Sequence, residues 1–228
     1  MSTTTPLHRT PEGQTVTTDF EEIRETARSY FADELSPAHD WHHVQRVEAL
    51  ADRLLESYPE SDDATVRLAV LLHDIGRSLE DEGTIDDHAV WGAREAESIL
   101  TARGLSRDRI DGICHAIRVH RYSNDEVPET LEAEILCDAD NLDALGAVGV
   151  ARCFTFGGEL GKPMYDPALP PSEDDTAAGA TDYNHFYKKI LDLPDRMYTE
   201  AGAEIAADRA RYVRQFLERF DQEVAGDR

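Results

Sequence analysis

Val66-Arg67-Leu68-Ala69-Val70-Leu71-Leu72-His73-Asp74-Ile75-Gly76 is the stretch that decides the fold. From Val66 to Leu72 every position but Arg67 is apolar. No helical face is left for water, so the segment reads as a helix surrounded by other helices. Ser61-Asp62-Asp63 supplies its N-terminal cap. Gly76 suits a C-terminal cap, which sets His73 and Asp74 in the last turn, at the negative end of the helix dipole where a cation is favoured. Two polar side chains that end an apolar helix are costly to bury unless something pairs with them, and a metal ion would pair with both. Neighbouring helix positions diverge, so His73 and Asp74 can grip one ion only if other helices supply the remaining ligands.

Outward from this helix the chain stays helical. Phe20, Ile23, Ala27, Tyr30 and Phe31 recur at helical spacing, and Ser36-Pro37 reads as the cap and first turn of a helix that carries Val44, Val47, Leu50, Leu54 and Leu55. Further helices are expected at about 87 to 103, 106 to 120 and 129 to 153, the last broken near Gly146 or Gly149, then at about 183 to 191 and from Thr199 to Glu223. Strand signals are sparse and there is no internal repeat. The fold class is therefore all-α, a compact multi-helix bundle. The proline-rich stretch 157–182 is expected to be a long mobile loop before the C-terminal helices 183–224. Residues 1–18, polar and aperiodic, are expected to be a flexible tail, and 19–228 a single domain whose motifs fall in 39–145.

Composition narrows the function classes. With 47 acidic and 23 basic side chains the formal charge is -24, a field that repels phosphate backbones and anionic membranes, so neither nucleic acid nor membrane is an expected partner. Lys162, Lys188 and Lys189 are the only lysines. Arginine-for-lysine usage with acid excess fits adaptation to high salt and fits equally an acidic protein from an arginine-rich genome. Cys114, Cys137 and Cys153 lack any metal or redox spacing and suit buried thiols in a reducing compartment. With no apolar stretch near the ~18 residues of a membrane span, a cytoplasmic location is expected.

His43 and Asp140 stand on two other expected helices, and with His73 and Asp74 they form a ligand set for a borderline or hard divalent ion. Here the chain resembles a known family. His43-Val44-Gln45-Arg46-Val47, Leu71-Leu72-His73-Asp74-Ile75-Gly76 and Asp138-Ala139-Asp140-Asn141-Leu142-Asp143 are similar, in order and spacing, to the H…HD…D signature of HD-domain phosphohydrolases. His39-Asp40-x-x-His43, His88-x-x-x-Gly92, Ile117-x-x-His120, Asp140-x-Leu-Asp-Ala-Leu-Gly and His185-x-x-x-Lys189 extend the resemblance to a small bacterial and archaeal branch, over about residues 20 to 223. Arg121 departs from that branch and bears on what the pocket accepts.

The resemblance implies that His43, His73, Asp74 and Asp140 hold the metal, with Asp138 the alternative if the register is off by two. His73 and Asp74 would be the catalytic pair. The metal would be Mn, Mg, Co, Ni, Fe or Zn, as one ion or two. Such an ion binds a phosphoryl oxygen and activates a water for attack. His88 and His120 stand where two-ion members of the superfamily carry extra histidines, so they are expected to hold a second metal or substrate phosphate. His115, on another helical face, is expected to take no part. His185 and Lys189, four residues apart on one face, could reach a single phosphate. His39, Arg77 and Arg121 complete the candidates for substrate binding, although each arginine near the motifs, Arg46 and Arg118 included, also reads as solvated or salt-bridged. No general base is identifiable, and His39 and Asp138 stand nearest. Trp41 and Trp91 read as packing aromatics.

The implied function is metal-dependent hydrolysis of a phosphoester or pyrophosphate bond in a nucleotide-like small molecule. Two rivals remain. A non-catalytic nucleotide-binding or regulatory module would keep the fold without turnover. A zinc peptidase would use His39-Asp40-Trp41-His42-His43 as an H-D-x-x-H variant of the H-E-x-x-H motif, leaving His73, Asp74 and Asp140 without a role.

Overall fold

The computed structural model describes residues 12–31, 36, 38–121 and 126–227, with side chains from Phe20 onward. Among these residues there is no strand. The helices are α1 (Glu12–Ser29), α2 (Trp41–Leu55), α3 (Asp63–Leu72), α4 (Arg77–Asp81), α5 (His88–Ala102), α6 (Arg107–Val119), α7 (Leu131–Asp143), α8 (Gly146–Glu159), α9 (Asp182–Lys188), a 3₁₀ segment (Ile190–Arg196) and α10 (Glu200–Val224).

The surrounded helix is α3. Thr65, Val66 and Leu68 to Leu72 are all buried, and α1, α2, α5, α6 and α7 each pack against it. A fully buried Leu side chain contributes roughly 1.5–3 kcal/mol, so Leu71 and Leu72, at 0 % exposure, fix this helix firmly. A second layer of α8, α9, the 3₁₀ segment and α10 closes on α7. It is built around Phe154, whose ring lies 5.7 Å from Phe186 and 6.0 Å from Phe216.

Short polar side chains start most of these helices. Asp40, Asp62, Asp87, Thr130, Thr181 and Thr199 each accept a backbone N–H of the first turn, a contact worth about 1 kcal/mol apiece. Helix α2 therefore begins at the Asp40 cap and not at Ser36; the Ser36 hydroxyl instead donates to Glu159, and Pro37 lies outside the described residues. Helix α1 begins at Glu12, inside the segment expected to be a tail, because a helix nucleated by packing at Ile23 and Ala27 propagates into polar sequence at little cost. Residues 1–11 of that tail lie outside the described residues.

Gly76 does not cap α3 in a left-handed conformation: its φ is -96°. The glycine is needed for space, since a Cβ there would meet His88 O and Trp91 Cε3 at 2.9 Å. That close approach brings the start of α5 against the end of α3. The break between α7 and α8 falls at Gly146, with φ of 72°, a left-handed turn that glycine adopts without strain.

The connection 160–181 is long but tied down. Asp174 is buried and accepts from Thr176 N, Ala180 N and Asn184 Nδ2, and Asp182 N and Tyr183 N donate to Pro163 O and Met164 O. Among the described residues no helix is long and apolar enough to cross a membrane.

Candidate functional site

The end of α3 meets the start of α2, the start of α5, the end of α6 and the last turns of α7. His73 follows the last residue of α3, and His120 the last residue of α6. Each turns its Nδ1 back onto the carbonyl three residues earlier, His73 onto Val70 O at 2.7 Å and His120 onto Ile117 O at 2.5 Å. Because a carbonyl only accepts, both Nδ1 atoms carry hydrogen and both Nε2 atoms face the site. His43 and His88 reach the same state through carboxylates: His43 Nδ1 donates to Asp143 Oδ2 at 2.8 Å, and His88 Nδ1 donates to Glu80 Oε2.

Four Nε2 atoms thus converge in two pairs, His43 with His73 at 3.3 Å and His88 with His120 at 3.4 Å. Two lone pairs facing each other at such separations repel unless a cation lies between them. The carboxylates around them favour that cation. Asp74 Oδ2 lies 3.5 Å from His43 Nε2 and 3.6 Å from His73 Nε2, while Asp74 Oδ1 lies 3.2 Å from His88 Nε2 and 3.5 Å from His120 Nε2. Asp140 Oδ1 stands 3.3 Å from His43 Nε2. Among the described residues two overlapping groups could hold a metal ion, His43 with His73 and Asp140, and His73 with Asp74 and His120. The donors are imidazole nitrogens and carboxylate oxygens, a set that fits a divalent first-row ion or magnesium.

Charge balance points the same way. Burial pushes the His73 imidazole down to about 4, so it stays neutral and available as a donor. Burial also opposes charge on His43, but Asp140 and Asp143 outweigh it and raise its affinity for a proton; for His88, Asp74 and Glu80 do the same. Against burial, the histidine rings turned on Asp74 hold its carboxyl well below the usual range, and His43 does so for Asp140. Both carboxylates are anions that seek positive charge.

Over this cluster lies a cavity of about 290 Å³. Its lining joins the cations Arg77, Arg121, Arg152 and Lys189, and His185, which burial keeps neutral, to apolar Ala144, Cys153, Phe156, Ile190 and Leu193. Burial first, then Arg77, Arg121 and Arg196, lowers the Lys189 pKa, although Asp140 pulls it up. His185 is held by its Nδ1–H on Ala178 O at 2.6 Å, a contact from the tied-down connection. His39 sits at the rim against Phe156, ring centroids 5.3 Å apart; burial, and then Arg77, keep it neutral.

Of the residues singled out in the sequence, His43, Asp74, Asp140, His88, His120, His39, Arg77, Arg121, His185 and Lys189 all line this cavity, with His73 directly beneath. Asp138 does not. It faces the other way along α7 and accepts from Tyr198 N, Thr199 N and Thr199 Oγ1, so it is neither an alternative ligand nor a base. The H-D-x-x-H reading also fails on geometry. Asp40 is spent capping α2 on His43 N, His39 precedes the helix, and the metal-facing Nε2 of His43 is turned to His73, Asp74 and Asp140. His115 accepts from Glu129 N, away from the cavity. Trp41 and Trp91 pack edge-on against Phe31 and Tyr30.

Four residues at the site escaped the sequence reading. Asp143 was visible only as part of a motif, although its spacing of three from Asp140 places it on a neighbouring face of α7. Glu80, Arg152 and Phe156 carry no sequence signal, since nothing local distinguishes them from the chain's other acids, arginines and aromatics.

A profile for the HD domain matches residues 40–145. The uncharacterized protein YpgQ of Bacillus subtilis is 32% identical over 210 residues, covering 90% of this chain and 94% of YpgQ. The crystal structure of an HD-superfamily hydrolase from Bacillus thuringiensis is similar with a TM-score of 0.73 and 31% identity, over 92% of this chain and 98% of that one. The crystal structure of Bacillus subtilis YpgQ in complex with ADP is similar with a TM-score of 0.71 and 29% identity, over 92% of this chain and 96% of that one.

Proposed function

Because this chain belongs to the HD-domain family, we propose that its cavity is the active site of a metal-dependent phosphohydrolase in which Asp74 stands between two pairs of imidazole donors. In this reading His43, His73, Asp74 and Asp140 hold one divalent ion. His88, His120 and the other oxygen of Asp74 hold a second or, with one ion only, take a substrate phosphate. The observation that carries the reading is the double pairing of Nε2 atoms around one carboxylate, an arrangement that repels itself without positive charge between the rings. A divalent ion held there would polarise a phosphoryl oxygen and lower the pKa of a water.

The chain's own residues then divide the remaining work. Asp74 and Asp140 hold negative charge beside the reacting centre, where they orient the attacking water. Arg77, Arg121 and Lys189 offset charge on phosphate oxygens, and neutral His185, its Nδ1–H held by Ala178 O, offers Nε2 as an acceptor to a substrate hydroxyl or a water. Phe156, Ile190 and Leu193 offer a nonpolar wall to a base and sugar. Juxtaposed cationic and apolar walls suit a nucleotide, and the ADP complex of YpgQ supports that class. The bond cleaved is a phosphoester or a pyrophosphate.

We further read residues 19–228 as one HD-type domain, located in the cytoplasm. Its charge of -24 would disfavour nucleic acid as a partner and would suit high salt.

A panel of nucleoside mono-, di-, tri- and cyclic phosphates, each assayed with Mn, Mg, Co, Ni, Fe and Zn and with products weighed by mass spectrometry, tests the function. Metal-dependent hydrolysis of at least one nucleotide is expected, read as released phosphate or pyrophosphate or, for a cyclic nucleotide, as a product heavier by one water. Tight nucleotide binding without any product would replace the enzyme by a regulatory module.

A further inference from the structure

Asp143 sits one turn beyond Asp140 on α7, with its side chain only 1% exposed. Its Oδ2 accepts from His43 Nδ1 at 2.8 Å, Arg152 Nη1 at 2.8 Å and Arg46 Nη2 at 3.1 Å; its Oδ1 accepts from Arg46 Nε at 2.9 Å. A carboxylate this deeply buried must be paired to stay ionised. One bidentate arginine would suffice for that. Arg46 is that bidentate partner, and Arg152 and the imidazole are additional donors, so the group is more than a buried ion pair.

The four inward-facing histidines are oriented by different means. His73 and His120 lean on backbone carbonyls, which helix geometry fixes without help from any side chain. His88 leans on Glu80, whose side chain is 17% exposed and is shared with Arg121 at 2.8 Å. His43 alone leans on a fully buried anion. His43 and His88 both stand in the first turn of a helix, and both turn Nδ1 onto a carboxylate where His73 and His120 use a backbone carbonyl.

We propose that Asp143 is a positioning residue, one that fixes the tautomer and ring direction of His43 as an ion ligand while Arg46 and Arg152 keep it anionic. This rests on the reading of His43 as a ligand. A carboxylate on Nδ1 leaves Nε2 as the lone pair, aims it at the space shared with His73 and Asp140, and makes it more basic. Arg152 also lines the cavity, so one buried carboxylate joins a ligand of the metal cluster to the wall that faces substrate.

The test measures binding of Mn²⁺ alone, by calorimetry and electron paramagnetic resonance, to the full chain without substrate. Asp143→Asn should weaken the His43-side ion about 10–100-fold and keep a helical circular dichroism spectrum. Arg46→Gln, which leaves the Asp143–His43 bond in place, should lower thermal stability but shift ion affinity no more than about threefold. A purely structural role for Asp143 would make the two variants alike. His43→Ala is the reference: if wild type takes up no Mn²⁺, or His43→Ala binds as well as wild type, the metal reading itself fails. If His43→Ala loses an ion and Asp143→Asn does not, the positioning role alone is overturned. Should Asp143→Asn fail to fold, long-range ¹H–¹⁵N spectra of the wild-type protein loaded with Zn²⁺ decide the matter. The proton is expected on His43 Nδ1; a proton on Nε2 with the ion on Nδ1 overturns the proposal.

Discussion

Replacing Asp138 by alanine should unfasten α10 from α7 and leave the metal cluster alone. The carboxylate is fully buried and takes three donors, Tyr198 N at 2.8 Å, Thr199 N at 2.8 Å and Thr199 Oγ1 at 2.6 Å. Each buried donor left without an acceptor costs about 1–3 kcal/mol. Tyr198 is 45% exposed, so water can reach its N–H; the Thr199 hydroxyl oxygen still accepts from Gly202 N, but its proton and the Thr199 N–H lose their acceptor. With the Tyr198 donor rescued, the two Thr199 donors together cost about 2–6 kcal/mol, about 4 kcal/mol at the middle of the range. For a chain of this size a kcal/mol moves the melting temperature by about 2–4 °C, so a fall of about 10 °C is expected in calorimetry. Below that new midpoint, Mn²⁺ affinity and turnover should match wild type. Asp140→Ala should do the reverse, keeping most of the stability and losing the ion. If Asp138→Ala melts with wild type yet binds no metal, the assignment of roles within Asp138-Ala139-Asp140 is wrong.

His73→Ala or Asp74→Ala should abolish phosphohydrolysis with a helical circular dichroism spectrum retained; full activity in either variant, or in chelator-treated enzyme, would rule out the proposed site. Molar potassium chloride should raise the melting temperature, because it shortens the Debye length to ~3 Å and screens a charge of -24; an unchanged or lower value removes the high-salt reading and leaves the enzyme standing. Burial lifts the Asp182 carboxyl to about 6, against a smaller downward pull from Lys162. A raised acid favours the folded state below its ordinary pKa and loses that contribution as pH climbs through about 6. Asp182→Asn should therefore stabilise the protein at pH 8, by about 1 kcal/mol after allowing for solvent screening, with less gain at pH 5; an equal gain at both values would refute burial as the cause.

Much of the architecture was legible because its signals are local. The unbroken apolar run Val66–Leu72 could only be a central helix, and Asp62, Asp87 and Thr199 mark helix starts that the structure places within a residue or two. Asp40 was missed as a cap because Ser36-Pro37 offered a stronger pattern four residues upstream. Gly76 was read through its commonest use, a left-handed cap, when its real constraint is the backbone of α5 pressed against it, which no local pattern reports. The site divides in the same way. His43, His73, Asp74 and Asp140 stand out because their types and order carry chemistry. Asp138 could be separated from Asp140 only by seeing Tyr198 and Thr199 close on it from sixty residues away. Glu80, Arg152 and Phe156 acquire meaning solely from neighbours that the fold brings to them.

The order in which the site's parts occur along the chain has a consequence for its assembly. Every ligand atom of the two clusters lies between residues 43 and 140, on helices gathered around α3, whereas the wall of His185, Lys189, Ile190 and Leu193 follows about fifty residues later. During synthesis, at roughly 5–20 residues per second, that gap lasts for several seconds. Through that interval the histidine cluster can form on the nascent chain with one side still open to the surrounding solution. An ion captured then reaches its ligands without threading the finished cavity. Metal choice at that stage would follow which ions are available at the ribosome, and because Asp140 stays 23% exposed in the finished structure, a cavity that admits substrate would still let the ion exchange afterwards.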